Sequence, residues 1–192
     1  EAVPDDFERA RNQIIYASYQ GNRNPFTDRP EFAWSIFKDQ LNDSQLYVGG
    51  APAGDGSSST NLNLGEVIVG AAVPGAQNVT LNRNGNDGTY FEVTTSGDAT
   101  SDVTGRFNAF PINVSGTDST TMQIGLSTST AVAGQKSGTV TIDNLDITNQ
   151  GGPGLGDNDG DDTVNVSLDV LDHANPSFDG AADENTLVYD FG

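Results

Sequence analysis

The sequence predicts a mainly β protein: an immunoglobulin-like antiparallel β-sandwich with a short N-terminal helical segment. Three observations carry that expectation. Apolar residues alternate strictly with polar ones at Met122, Ile124, Leu126, at Val140, Ile142, and at Val164, Val166, Leu168, Val170, the period-2 mark of strands with one buried face. Roughly seven such segments recur at intervals of about 10–20 residues, a spacing suited to a sandwich. The third observation is a break in composition. Residues 1–40 hold five bases against seven acids, the only Trp and four of the nine Phe, whereas residues 41–192 hold three bases against twenty acids.

In chain order, Phe7, Ala10 and Ile14 recur at helical spacing, with Ile15 and Tyr19 widening the stripe. Asp5 or Asp6 is the expected cap, the acids of the first turn suit the helix dipole, and Gly21 is the expected stop. After an Asn24-Pro25 turn, a second helix is expected over Glu31 to about Gln40, opened by Pro30. Two helices this short bury too little surface to stand alone and must pack on something. Gly49 to Ser59 reads as a linker, because Gly, Pro and Ser dominate it. The expected strands are Leu62–Gly70, Ala76–Arg83, Gly88–Thr95, Phe107–Val114, Ser119–Ser127, Gly138–Ile147 and Thr163–Leu171. Asn84-Gly85-Asn86-Asp87-Gly88 is a strong hairpin signal between two of them. The expected division is therefore 1–42 helical segment, 43–61 linker, 62–180 sandwich and 181–192 terminal strand.

Composition excludes several functions. Eight bases against 27 acids give a net charge of −19, which argues against a nucleic-acid interface, since phosphates need clustered Lys and Arg. No apolar run approaches the roughly 18–20 residues of a membrane span. The absence of cysteine removes disulfides, thiol catalysis and thiolate metal sites.

Arg11-Asn12-Gln13-Ile14-Ile15-Tyr16, followed by Gln20-Gly21-Asn22-Arg23-Asn24-Pro25-Phe26-Thr27-Asp28-Arg29-Pro30-Glu31, resembles the closing segment of the secreted endonuclease I family, over residues 5–33. The run departs from that family's pattern mainly at Thr27 and Arg29. The resemblance implies that Asn22, Arg23, Asn24 and Asp28 are a remnant of a nuclease motif. The family's ββα-metal centre, with its catalytic His and divalent-ion ligands, precedes this segment and has no counterpart here. A second resemblance spans residues 62–178. Leu64-Gly65-Glu66-Val67, Gly134-Gln135-Lys136-Ser137-Gly138-Thr139-Val140 and Leu171-Asp172-His173-Ala174-Asn175-Pro176-Ser177-Phe178 resemble choice-of-anchor-D-type modules of bacterial surface proteins. That resemblance implies a non-catalytic extracellular module.

Candidate chemistry is sparse. The nuclease-like residues lack a general base, so no catalytic residue is expected. Asp157, Asp159 and Asp161 occupy alternate positions of an acidic loop, the arrangement of oxygen ligands that suits calcium. Position 6 is Asp162 rather than Gly and position 12 is Leu168 rather than Glu, so the bland reading is a solvated turn. His173 beside Asp172 reads as a turn residue. The aromatics Tyr47, Tyr90, Phe107, Phe110 and Phe178 do not make a sugar-binding set. In the tail, Leu187, Tyr189 and Phe191 alternate on one face, the pattern of an edge strand or of a strand donated to a neighbouring subunit.

Two readings follow. The first is a non-catalytic extracellular or cell-surface structural or adhesive module that self-associates, a homopolymer without nucleic-acid partners or membrane insertion. The second is the C-terminal fragment of a secreted metal-dependent endonuclease with an accessory anchor domain.

Overall fold

The computed structural model describes residues 4–32, 44–112, 116–145, 159–174 and 190. Among them the chain forms two α-helices, a π-helical turn and nine strands: α1 (Asp6–Ile15), α2 (Pro25–Asp28), β1 (Gln45–Val48), β2 (Ser59–Ile68), β3 (Gln77–Asn84), β4 (Thr89–Gly97), β5 (Ala99–Ser101), β6 (Gly105–Phe110), β7 (Thr117–Leu126), β8 (Gly134–Asn144) and β9 (Asp162–Leu171). The strands make a four-stranded sheet, β1-β3-β7-β5, and a five-stranded sheet, β2-β9-β8-β4-β6. The mainly β sandwich with its N-terminal helix is the predicted fold.

The alternating residues decide which face is buried. Leu46, Val48, Leu81, Met122 and Ile124 of the smaller sheet meet Phe91, Val93, Val140, Ile142, Val164, Val166 and Leu168 of the larger one in a single apolar core. Their polar alternates, such as Thr139, Thr141, Thr163 and Asn165, face outward, because successive side chains of a strand point to opposite sides.

Three features depart from the sequence reading. The stretch read as linker contains β1, whose inward residues Leu46 and Val48 are fully buried, and β2 begins at Ser59. Residues 84–88 do not close a hairpin: β3 and β4 lie in different sheets. Gly85 adopts φ 105° and donates to the carbonyl of Gly116 at 2.8 Å, so the glycine serves a crossing between layers. The third departure is β2, which runs parallel to β9 in an otherwise antiparallel fold. A bulge interrupts that pair between Asn63 and Glu66, where Gly65 takes φ 93° and its N–H is held by Asn63 Oδ1 at 2.8 Å.

Between β4 and β5 the chain changes sheets within two residues, turning at Gly97 with φ 62°. This presses Ala99 against Gly138 so closely that a Cβ on Gly138 would lie 2.2 Å from the Ala99 nitrogen. Glycine is the residue that fits there.

The helical segment is built differently. Asp5 caps α1 through Glu8 N–H at 2.8 Å, and a π-helical turn at Tyr16–Gln20 ends on Gly21 at φ 66°. The predicted apolar stripe is not covered: Phe7 is 71%, Ile14 57% and Tyr19 81% exposed. Asn12 is the buried residue of α1. The segment meets the sandwich at β6, where buried Glu31 takes ion pairs from Arg29 and Arg106 and Arg9 stacks over Phe107 at 4.2 Å. The second predicted helix, Glu31 to Gln40, falls largely outside the described residues.

Candidate functional site

The nuclease-like residues form one cluster around a capped turn. Asn24 starts α2 by accepting from Phe26 N–H at 3.0 Å. Its own N–H donates to Asn12 Oδ1 at 2.8 Å, and Asn12 Nδ2 donates to Asp28 Oδ1 at 3.1 Å. Arg23 grips both oxygens of Asp28 from Nε and Nη2, each at 2.6 Å, and its third nitrogen, Nη1, donates to Gln13. This fork holds the Asp28 carboxyl below its usual range and raises Arg23. Beside it lies an open hollow of about 320 Å³ bordered by Glu8, Arg11, Asn22 and Thr27. Arg23 and Asp28 satisfy one another, which makes the cluster a brace for the turn. Asn22 is exposed at the rim. Sequence reasoning assigned no role to Asn12 or Gln13: a buried polar residue such as Asn12 gives no periodic signal on a helix, and Gln13 is exposed.

The acidic loop is taken apart by the structure. Asp157 lies outside the described residues. Asp159 turns inward and is 1% exposed, while Asp161 is exposed. Among the described residues no three His, Cys, Asp or Glu side chains converge as a metal shell. Asp159 instead accepts from Leu46 N–H at 3.1 Å and Asn144 Nδ2 at 2.7 Å. Asp162, also 1% exposed, accepts from Ser58 N–H at 2.9 Å and Ser58 Oγ at 2.6 Å, and Ser58 Oγ accepts from Val48 N–H at 2.7 Å. The two carboxylates thus take up, directly or through Ser58, the β1 amides that β3 does not pair. Burial pushes Asp159 up to about 6 and Asp162 up to about 7.

His173 is exposed, its N–H turned to Asp172 Oδ1 at 2.8 Å. Tyr90 and Phe110 are buried and unavailable to a ligand. Leu187, Tyr189 and Phe191 lie outside the described residues. The edge to which such a strand could add is well defined. The sheets end in β1 and β5, of four and three residues, and in β6 and β2, of six and ten. Among the described residues no other strand pairs with the side of β2 away from β9, although the Ile68 carbonyl there accepts from Ala71 N–H at 2.9 Å. Ile68 and its register partner Leu171 are 51% and 45% exposed beside its far end.

Fold and site together define a β-sandwich module whose polar clusters are built into its frame. The chain belongs to the family described as a domain of unknown function, DUF4402, which matches residues 56–170. A 33-residue stretch is 64% identical to an extracellular ribonuclease of Bacillus subtilis and 58% identical to one of Bacillus amyloliquefaciens. These matches cover 17% of this chain and only 12% and 11% of those proteins. Among solved structures, a family 123 glycoside hydrolase from Clostridium perfringens aligns over 70% of this chain and 28% of its own, with 9% identity and a TM-score of 0.39. The bacterial hydrophobin BslA aligns over 70% and 98%, with 12% identity and a TM-score of 0.23.

Proposed function

We propose that this chain is a non-catalytic structural or adhesive module of the cell exterior that self-associates, residues 185–191 of one copy adding as a strand to the β2 edge of another. The observation that carries this reading is the edge of β2, a ten-residue strand with no strand partner on that side among the described residues. An edge of that length is a template for strand addition unless charge, proline or a covering element blocks it. Here there is no Lys, Arg or Pro between Ser59 and Ile68, and Glu66 is the lone charge. The tail supplies the complementary pattern, three apolar residues at alternate positions. Such a contact joins two different surfaces, so it propagates head to tail instead of closing a dimer.

Negative-stain microscopy of the full chain beside its Leu187→Lys/Tyr189→Lys variant tests this. The reading expects filaments from the first and dispersed particles from the second; dispersed particles from both would refute it. The short likeness to extracellular ribonucleases favours a second reading, in which the chain is the non-catalytic end of a secreted metal-dependent endonuclease. Mass spectrometry of the native material distinguishes the two, because that reading requires a chain well above 20.1 kDa with magnesium-dependent nuclease activity.

A further inference from the structure

The ladder between β4 and β8 ends at the Phe91–Asn144 pair, and Thr89, two residues away on β4, turns its side chain onto Asn144. Both side chains are sealed from water: Thr89 is 1% and Asn144 3% exposed. Tyr90 and Phe91, which follow on β4, and Ile142 of β8 are buried as well. Thr89 Oγ1 donates to Asn144 Oδ1 at 2.5 Å, the short limit for such a bond. A C=O bond spans about 1.23 Å, so the hydroxyl oxygen lies within about 3.7 Å of the amide carbon. The nitrogen of the same amide is held on its other side, where Nδ2 donates to the Ser44 carbonyl at 3.0 Å and to Asp159 Oδ2 at 2.7 Å. Thr139 and Asn165 pair the same two residue types at 3.3 Å, but they lie open to water. At Thr89 and Asn144 a nucleophile and a carbonyl carbon are fixed together in a dry place.

We infer that Thr89 and Asn144 close an ester bond that staples β4 to β8, a self-modification of the folded chain. Thr89 Oγ1 adds to Asn144 Cγ, and the hydroxyl proton, already directed at Oδ1, is taken up by that oxygen. Collapse of the adduct breaks the Cγ–Nδ2 bond, the proton passes to the departing nitrogen, and ammonia leaves. One hydroxyl and one amide become one ester and one ammonia, and nothing is oxidised or reduced. Proximity drives the step, because a held pair reacts at an effective concentration far above any attainable in solution. Ammonia escapes to solvent and is protonated there, which draws the exchange forward. Burial protects the product, since the water that hydrolyses an ester is excluded. The bond joins positions 55 apart in the chain and restricts the unfolded state as a disulfide does, in a protein without cysteine. It ties neighbouring strands of one sheet whether or not copies associate, so it stands apart from the self-association reading.

Intact mass spectrometry of the full chain, denatured after prolonged incubation in the folded state, tests the bond. The expected mass is that of the sequence less one ammonia. After proteolysis the peptides carrying Thr89 and Asn144 are expected to travel as one species, which mild alkali separates. Thr89→Val removes the nucleophile and should give the full mass, two separate peptides and a lower urea midpoint. If that variant does not fold, the wild-type mass decides alone, because it is read on unfolded protein. Thr89→Ser keeps a hydroxyl and should keep the loss of ammonia, a result that a hydrogen bond alone does not produce. Wild type at its full sequence mass overturns the bond. So does a loss of ammonia confined to one peptide, as a succinimide at Asn84-Gly85 gives.

Discussion

The helical segment and the sandwich use opposite means to hold their shape. The sandwich hides Leu81, Met122, Ile142 and Leu168 almost completely and confines its buried polar network mainly to one end, around Asn144, Asp159 and Asp162. The helical segment leaves Phe7, Ile14 and Tyr19 in water and relies on a buried asparagine, an arginine fork and caps. Burying a Leu or Met side chain contributes roughly 1.5–3 kcal/mol, whereas a typical hydrogen bond contributes about 1 kcal/mol net. The difference teaches that apolar periodicity identifies a face fit for burial, and a partner surface must still cover it. The sandwich supplies that partner from within. Within the described residues the segment has only β6, met through Glu31 and Arg9.

The largest effect expected from this contrast is on core truncation. Leu168→Ala should lower stability by about 2–5 kcal/mol in urea melts, because it opens a cavity between the sheets. Phe7→Ala should change it by no more than about 0.5 kcal/mol; a larger loss would show that the helix face is covered after all. Gly138→Ala comes next, at about 1–3 kcal/mol, since its methyl group meets the β5 backbone. Asn12→Ala should act locally. It removes the acceptor of the Asn24 N–H, costs about 1–2 kcal/mol of local order, and should speed exchange at the Asn24 amide without moving the melting point of the sandwich. Smallest is the response of the segment to salt. Arg11 and Glu8 pair at 3.1 Å with both side chains well exposed, so 1 M salt should alter helix content only marginally.

Much of the sandwich was legible because alternation and burial are the same fact seen twice. Strands β2, β3, β4, β6, β7, β8 and β9 each overlap a predicted one. β1 escaped because four residues between Asn42-Asp43-Ser44 and Gly49-Gly50 are too short to display a period. The Asn84–Gly88 turn was misread because its residues specify a backbone bend and carry no information about which sheet receives the next strand. Part of the buried polar cluster could have been found, though not Asp159. Asp162 shares the parity of Val164 and Val166, and Asn144 that of Val140 and Ile142, so extending each alternation by one step places both inside. The pairing of Arg23 with Asp28 was within reach of sequence. The role of Asn12 was not, because its partners lie 12 and 16 residues away.

Head-to-tail self-association through the β2 edge is tested most directly by sedimentation velocity of two proteins. Ser59 and Asn61 face outward on that strand, and Ser59→Lys/Asn61→Lys places charge along the edge without touching the core or the Asn63 bond that holds the bulge. Wild type should sediment as a broad, concentration-dependent polymer and the variant as a single 20.1 kDa species with the same melting point. Equal sedimentation of the two, whether both polymeric or both monomeric, would contradict strand addition at β2.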